Sequence, residues 1–510
     1  MQATQHIGII DIGSNSIRLV IYEQNERGSY RVIDEAKASA RLSEKTRPDG
    51  RLAIEDLTET VQTISRFRML CEAHRVDLIR TVATAAVRNC LNCEEVTAFL
   101  REQTGLSIEV LSGEEEARYG FIGTINTMDV QDGLLIDIGG GSTELTMFRN
   151  RSIVESVSFP FGAVNTTKAY TRGGEVDADV LQAIRSMVET SLSQHKWIKK
   201  NTGLPLIGLG GTIRSVSKIV QRQSAYSLPI AHRYELTDKT VDSLLDELGS
   251  MTVDNRKNID GLDKNRADLI VAGLVIMETV FRYSTSSVYW VSGSGLRDGI
   301  YYEMIQPNHP VQHNVLSHSV RNLLGLHPSV PVAHVEQVNR IALVLFDALT
   351  SGTEEEQRWR QYLSAASLLY RIGVTVDFYR YEQHTFYLMA HSRMDGLTHR
   401  EMLICALTAA YQTKSRSRKM YLPHKDIVSE DDLRLASKLG TLLRIAVALD
   451  RSETQPISSI NAYKQKTGVQ LHLTCIRFPE IELIELQALL KPFKQLWGTP
   501  LHASLEVSNP

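Results

Sequence analysis

The sequence predicts a duplicated α/β architecture, followed by an all-α region and a small α+β tail. Three observations carry that expectation. A nine-residue pattern occurs twice without gaps, as Asp11-Ile-Gly-Ser-Asn-Ser-Ile-Arg-Leu19 and as Asp137-Ile-Gly-Gly-Gly-Ser-Thr-Glu-Leu145, 126 residues apart. Strand-like and helix-like stretches alternate after each copy. From Leu316 to about Asp450 apolar residues recur almost only at three- and four-residue spacing.

Each copy of the pattern follows a short apolar run, Ile7 to Ile10 or Leu134 to Ile136, and leads into another, Leu19 to Tyr22 or Leu145 to Phe148. The reading is strand, tight turn, strand, made twice. After the first copy the spacing predicts a helix over 55–73, a strand over 78–83, a helix over 94–104 and a strand over 107–111. After the second copy it predicts a long helix over 178–199 and a strand over 205–209. That strand runs into a third Gly-rich turn, Gly210-Gly-Thr212, which opens a helix. At 510 residues the chain exceeds one hydrophobic core. The expected domains are 1–125 and 126–308 for the two α/β copies, 309–455 for the all-α region and 456–510 for the tail. In the tail, alternation over 469–475, helical spacing over 481–497 and alternation over 501–507 suggest a small α+β module.

Composition is that of a globular chain, with 43% hydrophobic and 23% charged residues. A net charge of −3 speaks against a broad nucleic-acid surface but permits a local basic groove. The richest apolar stretch, Leu269 to Val280, is too short to span a bilayer and contains Glu278, so a buried helix is expected and no membrane partner. Met1 to Ile7 lacks a basic-then-apolar leader pattern. Five scattered cysteines suit reduced thiols, and with them a cytoplasmic setting.

The chemistry lies in the turns. Gly13, Gly139, Gly140 and Gly141 let the backbone approach a ligand, and successive amide N–H groups in such turns form an anion site. Ser14, Ser16, Ser142 and Thr143 add hydroxyls without bulk. Asp11 and Asp137, each ending a buried strand, suit a divalent cation that neutralises phosphate oxygens. Between the copies, Ser112-Gly-Glu-Glu115 has the form of a capping box. It occupies Glu115 and leaves Glu114 and Glu116 in a first helical turn, where a carboxylate can act as a general base if it faces the phosphate loops.

The run Asp11 to Ser16, then Ala83-Thr-Ala-Ala-Val-Arg-Asn89, Ser112 to Arg118, Asp137 to Leu145, Gly208 to Thr212 and Ser292 to Gly299 resembles the exopolyphosphatase and guanosine pentaphosphate phosphohydrolase family. The resemblance implies an actin-like (ribonuclease H-like) fold for the duplicated part. It implies Glu116 as the base that activates water, Arg88 as a phosphate grip, and Asp137 and Glu144, with Asp11, at a Mg²⁺ centre. Backbone amides of Gly13, Ser14 and Asn15, of Gly139, Gly140, Gly141 and Ser142, and of Gly210, Gly211 and Thr212 would hold the phosphates. The implied substrate is inorganic polyphosphate or guanosine pentaphosphate, and the implied assembly a homodimer. An actin-like ATPase or sugar kinase, and a non-catalytic polyphosphate or alarmone sensor, are the alternatives.

The helical region resembles that family's HD-type domain. His334 fits the first histidine and Asp450 the last aspartate, but the central metal-binding pair aligns with Tyr370-Arg371. An arginine there repels a cation, so no second metal-dependent activity is expected. His384, His391 and His399 give no convincing ligand spacing. Lys414, Arg416, Arg418, Lys419 and Lys425 read as a basic, Ser-rich loop suited to a polyanion.

Overall fold

The computed structural model describes residues 4–200 and 202–507. The chain forms two compact units, Met1–Val315 and Leu316–Pro510.

The first unit holds two sheets of matching plan. One contains β1 (Gln5–Ile12), β2 (Ser16–Gln24), β3 (Tyr30–Ser39), β4 (Leu78–Ala83) and β5 (Ile108–Val110), in the order β3-β2-β1-β4-β5. The other contains β6 (Gly133–Ile138), β7 (Thr143–Arg149), β8 (Ser152–Phe159), β9 (Leu206–Leu209), β10 (Glu235–Leu236) and β11 (Tyr289–Val291), in the order β10-β11-β9-β6-β7-β8. In each, an antiparallel meander of three strands precedes two parallel strands laid beside its first member. The duplication seen in nine residues thus extends through the whole topology.

Side-chain alternation explains why the strand sequences are apolar almost throughout. In β1, Ile7 and Ile9 face one core while Ile10 and Ile12 face another. In β6, Leu135 enters the same core as Ile7, whereas Leu134, Ile136 and Ile138 face outward into a third. A strand covered on both faces needs no polar side. The shared middle core is filled by helices Gly113–Ile125 and Leu296–Ile305. Their axes come so close that a Cβ on Gly299 would lie 2.0 Å from the Tyr119 carbonyl oxygen, and one on Gly123 would lie 2.2 Å from that of Gly295. Asp11 and Asp137 continue the inward alternation of their strands, which brings both to the end of this middle layer.

The expected helix over 178–199 stops earlier, as Ala178–Ser193. Ser191 and Ser193 hydroxyls bond back to the carbonyls of Met187 and Thr190, competing with the helical ladder at its end. The apolar stretch is the helix Ile270–Ser284, buried along nearly its whole length. Among the described residues no helix is long and apolar enough to cross a membrane.

The second unit is helical and then α+β. Helices Val332–Leu349, Glu354–Leu369, Tyr381–His391, His399–Ala409 and Glu430–Ala448 pack around Val335, Leu363, Leu403, Leu439 and their neighbours. The tail is a sheet β12-β13-β14, with β12 (Ile457–Gln465) antiparallel and β14 (Leu501–Val507) parallel to β13 (Gly468–Cys475). The helix Glu480–Trp497 makes the crossover. One expectation is corrected here. Lys414 to Tyr421 is a helix rather than a loop, capped by the Thr413 hydroxyl, which accepts from the Arg416 N–H at 3.3 Å. Its charged, serine-rich sequence lacks the apolar periodicity that announces a helix.

Candidate active site

The two turns of the repeat close identically. The Gly13 N–H donates to the Ser16 carbonyl at 3.2 Å, and the Gly139 N–H to that of Ser142 at 3.0 Å. Their outward carbonyls are already engaged. Ser14 and Asn15 accept from the N–H groups of Ser43, Ala40 and Arg41, while Gly139 and Gly140 accept from Ala163 and Val164. The N–H groups are what these turns have left to offer a ligand, and two such turns facing each other make an anion cradle. They meet closely, since a Cβ on Gly140 would lie 2.9 Å from that of Ser14.

Between them opens a cleft of about 130 Å³. Of the residues expected from sequence, Gly13, Ser14, Asn15, Gly139, Gly140, Ser142, Gly210 and Gly211 line it, together with Asp11, Asp137 and Glu116. Gly141 instead packs against Ser14, and Thr212 is buried against Gly273.

Glu116 reaches the cleft because of how its helix begins. The Ser112 hydroxyl accepts from the Glu115 N–H at 3.1 Å, and the Glu115 carboxylate accepts from the Ser112 N–H at 2.8 Å. That capping box fixes the first turn. Glu114 and Glu115 then face solvent, and Glu116 turns inward with its side chain 12% exposed. Arg88 Nη1 donates to Glu116 Oε2 at 2.8 Å and to the Leu111 carbonyl at 2.9 Å. Burial pushes the Glu116 carboxyl up to about 7, against the hydrogen bond and charge of Arg88, which pull it down. A carboxylate poised near neutrality is what proton transfer at ordinary pH requires.

Glu144 stands one layer behind. Its Oε1 accepts from the Ser158 hydroxyl at 2.7 Å and lies 4.0 Å from Arg88 Nη2, while its buried Oε2 has no hydrogen-bond partner. Burial first, and then the negative charge of Glu116, hold it well above the usual carboxylate range. Asp11 and Asp137 are also raised by burial; Asp11 further raises Asp137, and nearby arginines lower both. Among the described residues no three acidic, histidine or cysteine side chains converge as a metal cage. Asp11 and Asp137 nevertheless line the cradle as hard oxygen donors. They fit a Mg²⁺ that would arrive with the substrate and draw its other ligands from water and phosphate oxygens, whose negative charge offsets the repulsion of the cleft arginines.

Four arginines that the sequence analysis did not single out complete the cleft: Arg18, Arg214, Arg266 and Arg297. Burial lowers the pKa of Arg214 and of Arg266 to about 10, with repulsion from Arg18 contributing at both and from Arg297 at Arg214. So many guanidiniums crowded in one buried place are a receptor for several negative charges. One signal for Arg18 was present in the repeat. The hairpin register pairs Asp11 with Arg18 and Asp137 with Glu144, so position eight of the motif always faces its aspartate.

The model of the Ppx/GppA phosphatase family matches residues 20–308, and that of its domain III matches residues 315–487. The chain belongs to the Ppx/GppA phosphatase family. A Ppx/GppA family member from Aquifex aeolicus is 26% identical over 60% of this chain and 99% of its own, with a TM-score of 0.52. An exopolyphosphatase from Cytophaga hutchinsonii, 23% identical over 60% of this chain and 100% of its own, shares the fold with a TM-score of 0.56. The doubled sheet is therefore the actin-like architecture of a phosphohydrolase family.

In the helical unit, the position where an HD enzyme would hold metal is filled. His334 Nδ1 pairs with Asp450 Oδ2 at 2.7 Å, and His334 Nε2 with the Tyr370 hydroxyl at 2.5 Å. Arg371 pairs with Glu453. Both ring nitrogens of His334 are spent on side chains, so the imidazole has no lone pair to give a cation.

Proposed function

We propose that the chain is a Mg²⁺-dependent phosphohydrolase that removes the terminal phosphate of inorganic polyphosphate. The observation that carries this reading is Glu116, an inward-turned carboxylate brought near neutral pKa that lines a cleft shared with turn glycines and arginines. Phosphoryl transfer asks little covalent chemistry of a protein; positioning and charge stabilisation supply the rate. Glu116 takes a proton from a water set in line with the terminal phosphorus. Arg88 holds Glu116 in place and meets the equatorial oxygens as charge spreads onto them. The amides of the two turns and the arginines hold the following phosphates and stabilise the leaving oxygen. Mg²⁺ held by Asp11 and Asp137 would neutralise phosphate oxygens. The products are orthophosphate and a chain one phosphate shorter.

A second reading, hydrolysis of guanosine pentaphosphate to the tetraphosphate, is favoured by one feature. A groove of about 1080 Å³ shares Arg18, Arg214, Arg266 and Arg297 with the cleft and continues past Lys218 and Tyr226, with room for a nucleoside. Orthophosphate release is measured from long-chain polyphosphate, guanosine pentaphosphate and ATP, each with Mg²⁺. Release from the first supports the main reading and release from the second alone supports the other. No orthophosphate release from either substrate, with the γ-phosphate of ATP transferred instead to an added sugar acceptor and ADP formed, overturns both. Glu116→Gln is expected to lose about 10²- to 10⁴-fold in turnover while retaining substrate binding.

A further inference from the structure

The helical unit contains a second anion-receptive cavity that the proposed reaction does not use. It has a volume of about 270 Å³ and lies among the end of helix Glu354–Leu369, the start of Tyr381–His391, and helices Glu430–Ala448 and Glu480–Trp497. Its walls combine two chemistries. Tyr370, Tyr381 and Phe378 supply aromatic faces, and Arg371, Arg444 and Arg451 supply guanidiniums. All three arginines line the same cavity as Tyr381; burial and then Glu382 raise the Tyr381 hydroxyl, and the charges of Arg371, Arg451 and Arg444 oppose that rise.

These arginines differ in how much of their charge is already answered. Arg371 is paired with Glu453, though its buried Nε lacks a hydrogen-bond partner. Arg444 donates one bond, to the Gln412 carbonyl at 2.8 Å, and that is a neutral acceptor. Arg451 is exposed and makes no ion pair among the described residues. Phe378 lines the cavity and is 63% exposed, so one face of an aromatic ring is open to a ligand there. The floor is apolar, made by Leu443, Val447 and Leu489.

A polyphosphate chain has no use for an apolar floor or for stacking faces. An isolated metal ion is repelled by the guanidiniums. A planar heterocycle carrying phosphate satisfies both sets of walls, because rings stack on aromatic faces and guanidiniums take phosphate oxygens in pairs. Glu382 and Glu485, which also line the cavity, are acceptors for ribose hydroxyls. The volume, small for a ligand cleft, suits one nucleotide. The His334–Asp450–Tyr370 cluster braces the Tyr370 wall, which gives that buried polar trio a role other than metal binding.

We propose that this cavity binds a nucleoside mono- or diphosphate, making the helical unit a nucleotide-binding module separate from the hydrolytic cleft. The test uses the full-length protein and calorimetric titration with GMP, GDP, AMP and, as a base-free control, tripolyphosphate. Arg451→Glu and Phe378→Ala alter exposed side chains outside the hydrolytic cleft, so both variants are expected to fold and to release phosphate at the wild-type rate. The expected result is nucleotide binding to the wild type that weakens about tenfold or more in each variant, with tripolyphosphate binding unchanged. Three results would overturn the proposal. One is the absence of nucleotide binding to the wild type. Another is nucleotide binding indifferent to both substitutions. The third is an equal loss of tripolyphosphate binding in the variants, which would make the cavity a plain anion site.

Discussion

Replacing Arg88 by Gln is expected to move the acid limb of the pH–rate profile to higher pH. Burial raises the Glu116 carboxyl to about 7, and Arg88 opposes that rise through a 2.8 Å hydrogen bond and its charge. A hydrogen bond to a charged group contributes about 1.5–3 kcal/mol, and about 1.4 kcal/mol corresponds to one pH unit. Without Arg88 the Glu116 pKa therefore climbs to about 8–9. The sign follows from the role. Glu116 must be ionised to accept a proton, so kcat/KM is full above its pKa and is lost as pH falls through it. In the wild type that loss centres near pH 7; in Arg88→Gln it begins in mildly alkaline solution. Gln also weakens phosphate binding, which lowers the whole curve but leaves the position of the limb to report on Glu116. Orthophosphate release from polyphosphate at limiting substrate, followed across the neutral and alkaline range, reads both effects. A limb that stays near the wild-type position while the rate drops would refute the coupling of Arg88 to Glu116.

Other substitutions test separate parts of the same site. Asp11→Asn and Asp137→Asn should each raise the Mg²⁺ concentration giving half-maximal phosphate release by about tenfold or more; an unaltered Mg²⁺ titration in both would remove them from the metal centre. Chelation with EDTA should abolish release, and added Mg²⁺ restore it; activity that survives chelation would exclude the metal. Gly140→Val places side-chain atoms where Ser14 already stands, 2.9 Å from the new Cβ, so release should be lost while circular dichroism is retained. Gly299→Ala forces apart the two central helices and should destabilise the first unit by about 1–3 kcal/mol or more, read as a lower urea midpoint. A wild-type midpoint would mean that the helices have room to spare.

The parts of the molecule legible in the sequence are those where local chemistry and long-range pattern agree. The Asp-Ile-Gly turns announce themselves because each side chain in them has one task and because they recur. The capping box at Ser112 was readable and accounted for Glu115, but it left Glu114 and Glu116 open; the family resemblance singled out Glu116, and the fold turns that side chain inward. Arg214, Arg266 and Arg297 were not readable, since an arginine on a helix or beside it has the same local appearance whether it meets solvent or a cleft. Only the folding of three segments into one place gives them meaning. Strand β12 was missed for a related reason. Its sequence, Ile457-Ser-Ser-Ile-Asn-Ala-Tyr-Lys-Gln465, buries few residues and has little apolar alternation to show. Glu144 was legible only as an acid of the motif; that its Oε1 accepts from Ser158 on the neighbouring strand and lies 4.0 Å from Arg88 depends on contacts distant in sequence.

The paired turns carry one further consequence. A site built from two copies of a motif related by rotation cannot, through those copies alone, tell one end of a linear ligand from the other. Here the copies agree at the aspartate and disagree seven residues later, where one carries Arg18 and the other Glu144. The copies differ at four of their nine positions, and this opposite-charge pair among them gives the cleft a head and a tail. On the proposed reading it sets the direction in which a chain of identical phosphates must be threaded, and so which phosphate is the last.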